Sequence, residues 1–197
     1  MVNALEEVYR RHDDNMVAVN AVWTEAAIPY GRLHRQDIFE RMGIQFARAL
    51  RRSRMRAVGG FDVSANEHED GEFDPYFAPH IFAFIPGVDI KLGEMDFRPF
   101  FPADDQTPRP LRISLLDGNP AAFAYAFKSE FFRQDALHRH PQRDGARSFI
   151  SEREKPMREA QRVELAIALH RAGLANRIFL HGYVLVASNG RPKIIPH

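Results

Sequence analysis

A chain of 197 residues, 45% of them hydrophobic and 27% charged, is long enough for one domain with its own core, with at most a small appendage. It has no cysteine, which excludes disulfides, cysteine-ligated zinc and a cysteine nucleophile. The formal net charge of +1 does not by itself announce a nucleic-acid partner, and although 23 Arg against 4 Lys favours phosphate-matching forks, a GC-rich genome gives the same skew.

The opening Met1–Glu7 carries no basic cluster or apolar core, and no apolar run approaches the ~20 residues of a membrane span. The expectation is a cytoplasmic chain without a membrane segment. Residues 3–27 have partial helical spacing through Leu5, Val8, Tyr9, Val17, Val19, Val22 and Trp23, and residues 1–34 are read as a helical extension. Residues 35–53 form a stronger helix, with Ile38, Phe39, Met42, Phe46, Ala49 and Leu50 at three- and four-residue spacing. From Arg56 to Glu67, Phe61, Val63 and Ala65 alternate with Asp62, Ser64 and Asn66, the pattern of a strand. Ala78 to Pro86 is a second strand, with Ile81, Ala83 and Ile85 on one face and His80, Phe82 and Phe84 on the other.

A short strand is placed near Asp89–Leu92 and a third strand at Leu111–Leu116. Asn119-Pro120 supplies an N-cap and an N1 proline for a helix to about Phe132. Residues 134–155 are polar and basic and read as a mobile loop. Residues 156–172 form a helix stopped at Gly173, Arg177–Ala187 a last strand, and residues 188–197 a loose tail. Strands separated by helices indicate an α+β domain over residues 35–187, a mainly antiparallel sheet with helices on one face.

Three segments bear on chemistry: Phe61-Asp62-Val63-Ser64-Ala65-Asn66-Glu67, Pro79-His80-Ile81-Phe82, and Tyr125-Ala126-Phe127-Lys128. Their order, with Tyr125 45 positions after His80, resembles the rolling-circle replication initiators (Rep proteins) of the HUH endonuclease superfamily. The resemblance covers roughly residues 56–132. It implies a ferredoxin- and RRM-like sheet that nicks single-stranded DNA in replication of a plasmid, phage or other mobile element. In such enzymes a tyrosine attacks the phosphate and a lysine helps to position and neutralise it. By that resemblance Tyr125 is the nucleophile and Lys128 its electrostatic partner. Two histidines at i and i+2 on a strand share a face and can hold one divalent metal, Mn²⁺ or Mg²⁺. Here the second histidine position is Phe82, whose ring cannot ligate, so His80 needs Asp62 or Glu67 beside it and the metal site is degraded.

Phosphate contacts are expected from two basic stretches: Arg51, Arg52, Arg54 and Arg56, then Arg133, Arg139 and Arg143. The pair His138 and His140 has strand-type metal spacing but a loop-like setting, so both read as surface histidines. No phosphate-binding glycine loop, dinucleotide fingerprint, nucleophile elbow or zinc-protease motif is present. The other function class left open is a non-catalytic domain whose exposed aromatic residues bind a protein partner.

Overall fold

The computed structural model describes all residues except 13, 14, 24–26, 36, 69, 70, 72, 104–106, 108, 129, 140–148 and 174; for 92, 94, 137–139 and 149–152 it describes the backbone alone. In chain order the elements are α1 (Val2–Arg11), β1 (Met16–Val22), β2 (Ile28–Pro29), α2 (Ile38–Arg52), β3 (Ala57–His68), β4 (Tyr76–Pro86), α3 (Ile90–Phe97) and β5 (Leu111–Leu115). They continue with α4 (Pro120–Tyr125), β6 (Phe132–Arg139), β7 (Phe149–Pro156), α5 (Glu159–Ala172), β8 (Ile178–His181), β9 (Tyr183–Ser188) and β10 (Arg191–Pro196). The fold is α+β. Its main sheet runs β5-β1-β4-β3-β6-β7, with β2 added to β4 and β8 to β3, while β9 and β10 form a separate hairpin. Every pairing is antiparallel except β3 with β6.

Several expectations are corrected. The N-terminal segment is not a helical extension: only its first part is helical, and Met16–Val22 is a strand between β4 and β5 in the sheet. Met16 to Ala21 are mostly buried on both faces, and a strand buried on both faces loses the alternation that marks a half-exposed one. Asp89–Leu92 falls in a turn and the start of α3 rather than in a strand. The expected loop at 134–155 contributes β6 and β7, whose ladder pairs Gln134 with Glu154 and Arg133 with Lys155. Their polar side chains satisfy one another across the ladder, which composition alone reads as loop. The last strand is two, β8 and β9, broken at Gly182 with φ +69°, and the tail pairs back as β10.

The sheet is covered on both faces, not one. On the first face α2 buries Phe39, Met42, Phe46 and Leu50 against Phe61, Val63, Ile81 and Ile85. On the second, Phe84 and Val58 pack with Leu5 and Val8 of α1, Phe123 of α4 and Ile194 of β10. Each fully buried Phe or Leu contributes roughly 1.5–3 kcal/mol, so both layers hold the sheet. The cover on the second face is incomplete, and the bare part of that face is a groove. Among the described residues no helix is long and apolar enough to cross a membrane.

Candidate functional site

The groove is built by parity. Asp62 on β3 and His80 on β4 are register partners, so their side chains stand side by side on the face opposite α2. At the far edge of β3, β8 pairs with residues 57–60 and β6 with residues 65–68. Residues 61–64 between them have no ladder partner on that side among the described residues, and the Asp62 carboxylate fills part of the gap by accepting from the Val63 N–H at 2.8 Å. The turn after α4 closes over this notch. Asn119 caps α4 by accepting from the Ala121 N–H at 2.9 Å, as expected, but the helix ends at Tyr125. Two three-residue turns continue it, Phe127 N–H to Ala124 O and Lys128 N–H to Tyr125 O, and these keep Tyr125 and Lys128 adjacent. Gly60 allows the approach: a Cβ there would lie 2.0 Å from the Ala126 carbonyl oxygen.

Four side chains predicted from the sequence therefore meet. The Lys128 ammonium donates to Tyr125 Oη at 3.2 Å and lies 2.6 Å from Asp62 Oδ2. The same carboxylate oxygen is 2.9 Å from His80 Nε2, and His80 Nδ1 is 3.2 Å from the Ala78 carbonyl oxygen. Lys128 also sits 4.3 Å from the centre of the Tyr125 ring, and Phe82 meets that ring edge-on at 5.2 Å. Tyr125 itself is 42% exposed, on the wall of an open cavity of about 610 Å³ that Asp62, His80 and Lys128 also line. Burial pushes the Asp62 carboxyl up, but the hydrogen bond and charge of His80 and then Lys128 outweigh it and hold the group below its ordinary value. Burial likewise pulls Lys128 down, and Asp62, then Tyr125, more than reverse it, so the ammonium is held above its ordinary value. The result is a cation fixed beside an accessible phenol.

The residues do not fit a divalent metal. Glu67 is an odd-numbered position of β3 and projects to the opposite face from Asp62. There it accepts from Arg133 at 2.7 Å, Arg158 at 2.8 Å, Gln161 at 2.6 Å and Tyr30 at 3.3 Å. It is a structural anchor between β6 and α5, which corrects its placement in a metal set. Both nitrogens of His80 already face oxygens, and the Asp62 oxygen nearest His80 carries an ammonium where a cation would have to stand. Phe82 offers no donor atom. Among the described residues no three His, Asp or Glu side chains converge.

The arginines divide differently from the expectation. Arg133 pairs with Glu67 and Asp135 on the face opposite the groove. Arg51 and Arg52 end α2, with Arg52 6.0 Å from the Phe100 ring; Arg54 and Arg56 follow, and Arg56 packs at Gly182. None of these four lines the Tyr125 groove. Arg139 ends β6, where the backbone alone is described, and Arg143 lies outside the described residues, as does His140. The arginines that do line the groove are Arg109 and Arg112, which sequence reasoning missed. The signal was present in the alternation of Arg112 and Ser114 with Leu111, Ile113 and Leu115. Asn20, which also lines the groove, was hidden by the helical reading of β1.

Comparison with protein-family models, with curated proteins and with solved structures finds no match to this chain.

Proposed function

We propose that this chain binds single-stranded DNA in the Tyr125 groove, as a Rep-like protein of the HUH type that has lost its metal site and serves replication of a mobile element. The observation that carries the reading is the row Tyr125–Lys128–Asp62–His80, drawn from three separate segments into one open cavity. An ammonium held by a carboxylate and touching a phenol is arranged to receive a phosphate group next to that phenol. The groove adds what a single strand needs. Tyr125, Phe82 and Phe132 present ring surface, on which a stacked base gains roughly 1–3 kcal/mol. Arg109 and Arg112 make no ion pair among the described residues and supply positive charge. The reaction such a site supports is attack of Tyr125 Oη on phosphorus. The new O–P bond forms as the P–O3′ bond breaks, and the phenol proton is balanced by the proton gained on the released 3′-hydroxyl. Lys128 offsets charge on the phosphoryl oxygens, and Asp62 and His80 hold Lys128 in place.

The test is a denaturing protein gel of wild type and Tyr125→Phe mixed with end-labelled single-stranded DNA, run beside binding isotherms at rising salt. A DNA-linked band lost in Tyr125→Phe establishes a tyrosine nuclease. Salt-sensitive binding without a band establishes a DNA-binding protein without nicking. Absence of both overturns the proposal. It favours the second reading, a protein-interaction domain, for which α5 offers a surface. Val163 and Ile167 are exposed there beside a groove of about 400 Å³ lined by Phe131, Met157, Leu165 and Leu169.

A further inference from the structure

On one side the main sheet ends in β5, which has no strand beyond it among the described residues. Two contacts with β1 fix the sense of its backbone. Leu116 N–H donates to the Met16 carbonyl oxygen at 2.9 Å, and Val22 N–H donates to that of Pro110 at 2.8 Å. The even residues of β5 therefore turn their backbone groups inward to β1, and Leu111, Ile113 and Leu115 turn theirs outward. Natural edge strands are blunted by proline, lysine or a bulge. Pro110 does not blunt this one, because its missing N–H lies on the β1 side. No lysine stands between Leu111 and Leu115, and Leu115 is 63% exposed. The row Leu111-Arg112-Ile113-Ser114-Leu115 also has the same pattern from either end: apolar, polar, apolar, polar, apolar. Arg109 precedes it and Asp117 follows it.

We infer that β5 is a docking edge for a second copy of this chain, the two β5 strands pairing antiparallel about a two-fold axis at Ile113. In that register Ile113 meets its own counterpart, Leu111 meets the second copy's Leu115, and Arg112 meets the second copy's Ser114. The outward backbone groups of Leu111, Ile113 and Leu115 are the ones this register pairs, for about six new hydrogen bonds. The apolar side chains of both copies fall on one face, and Leu115 loses its exposure there. Neighbouring registers are worse. Centring on Arg112 would oppose two guanidinium groups, and centring on Ser114 would set Leu111 against an aspartate, Asp117. Charge also selects the direction. An antiparallel copy brings its Asp117 to the end that carries Arg109, whereas a parallel copy would set like beside like. The two-fold leaves the groove faces of both copies on the same side of one continuous sheet. The inference does not depend on what the groove binds.

Sedimentation velocity of the full chain, without DNA and over about a hundredfold range of concentration, reads the assembly state. Wild type is expected to pass from 22.6 kDa to twice that mass as concentration rises. Leu115→Lys alters an exposed side chain, with circular dichroism as the check on its fold, and is expected to weaken the dimer at least about tenfold. Cysteines read the register, because the chain has none of its own. Arg112→Cys and Ser114→Cys lie at exposed positions. Mixed and oxidised, the two variants are expected to form a disulfide-linked dimer, since opposed residues of an antiparallel pair lie about 4.5–5.5 Å apart. Either variant alone should link far less, because the same position in the two copies is then more than about 7 Å apart. A chain that stays monomeric over the whole range overturns the proposal. So does a dimer that Leu115→Lys leaves intact and Val163→Lys on α5 dissolves, and so does a dimer whose mixed cysteines stay unlinked. Should Leu115→Lys lose its fold, the mixed cysteines decide alone.

Discussion

Gly60 of β3 and Ala126 in the turn after α4 touch through their backbones: a Cβ on Gly60 would stand 2.0 Å from the Ala126 carbonyl oxygen and 3.4 Å from the Phe127 ring. This contact sets the height of Tyr125 and Lys128 above the sheet. Neither a backbone carbonyl nor β3, paired along much of its length, can give way cheaply. Gly60→Ala is expected to lift the turn and cost about 1–3 kcal/mol of stability, read from urea unfolding. It should also weaken oligonucleotide binding as much as Lys128→Ala does, although Gly60 carries no side chain. Wild-type binding in a folded Gly60→Ala variant would refute the coupling.

The ion pair of Asp62 and Lys128 predicts a pH signature. The folded Asp62 carboxyl titrates below its ordinary value, so its stabilisation is complete above the unfolded value near pH ~4 and disappears as pH falls through the lower folded value. Lys128 has the opposite sense: its contribution is complete below the unfolded value near pH ~10 and fades as pH rises through the higher folded one. Asp62→Asn is therefore expected to cost roughly 1–3 kcal/mol at neutral pH, less than a fully buried pair because Lys128 keeps some solvent access. The difference from wild type should close in acid. Denaturant melts of both proteins across the acid range check it, and a difference that stays constant to the lowest pH would assign the effect elsewhere.

Phe82 and His80 are two residues apart on β4 and share the groove face. Phe82→His therefore places a second imidazole beside the first, in a space now filled by a ring packed on Tyr125. Mn²⁺ binding by calorimetry is expected to become tighter than in wild type. Unchanged Mn²⁺ affinity in a folded variant would show that the two positions do not converge as the register requires.

Glu67 provides a control on the opposite face. It is 7% exposed and holds Arg133, Arg158, Gln161 and Tyr30 together. Burial, then the Glu67 charge and hydrogen bond, also raise Tyr30 above the usual tyrosine range. Glu67→Gln leaves the exposed Arg158 without its carboxylate and Arg133 with Asp135 alone, and is expected to destabilise by about 1–3 kcal/mol. Oligonucleotide affinity at a temperature where the variant stays folded should be unchanged. A large affinity loss there would place the DNA on the wrong face in the present account.

The local signals were legible wherever a segment has one exposed or one clearly apolar face. The period of Ile38, Phe39, Met42 and Phe46 gave α2, and the alternations around Phe61 and Ile81 gave β3 and β4. The pairing of Tyr125 with Lys128 was readable because three residues of turn or helix bring them together either way. Where a strand is buried on both faces, as in β1, or is built of charges that neutralise one another across a ladder, as in β6 and β7, the residue pattern is ambiguous.

By itself the sequence determined the absence of thiol chemistry, the α+β class, a non-ligating ring at position 82, and the candidates from which the groove residues come. Only the tertiary structure decided which of the remaining candidates join them. Asp62 and Glu67 are five residues apart and equally acidic, yet an odd spacing on a strand sends one to the groove and the other to the α5 anchor. Arg133 was indistinguishable in sequence from Arg112, but one neutralises a buried carboxylate and the other stands open on the edge strand. Charge and residue type are local properties; what a charged group faces is set by register and by which elements cover the sheet, and neither is written in any single segment.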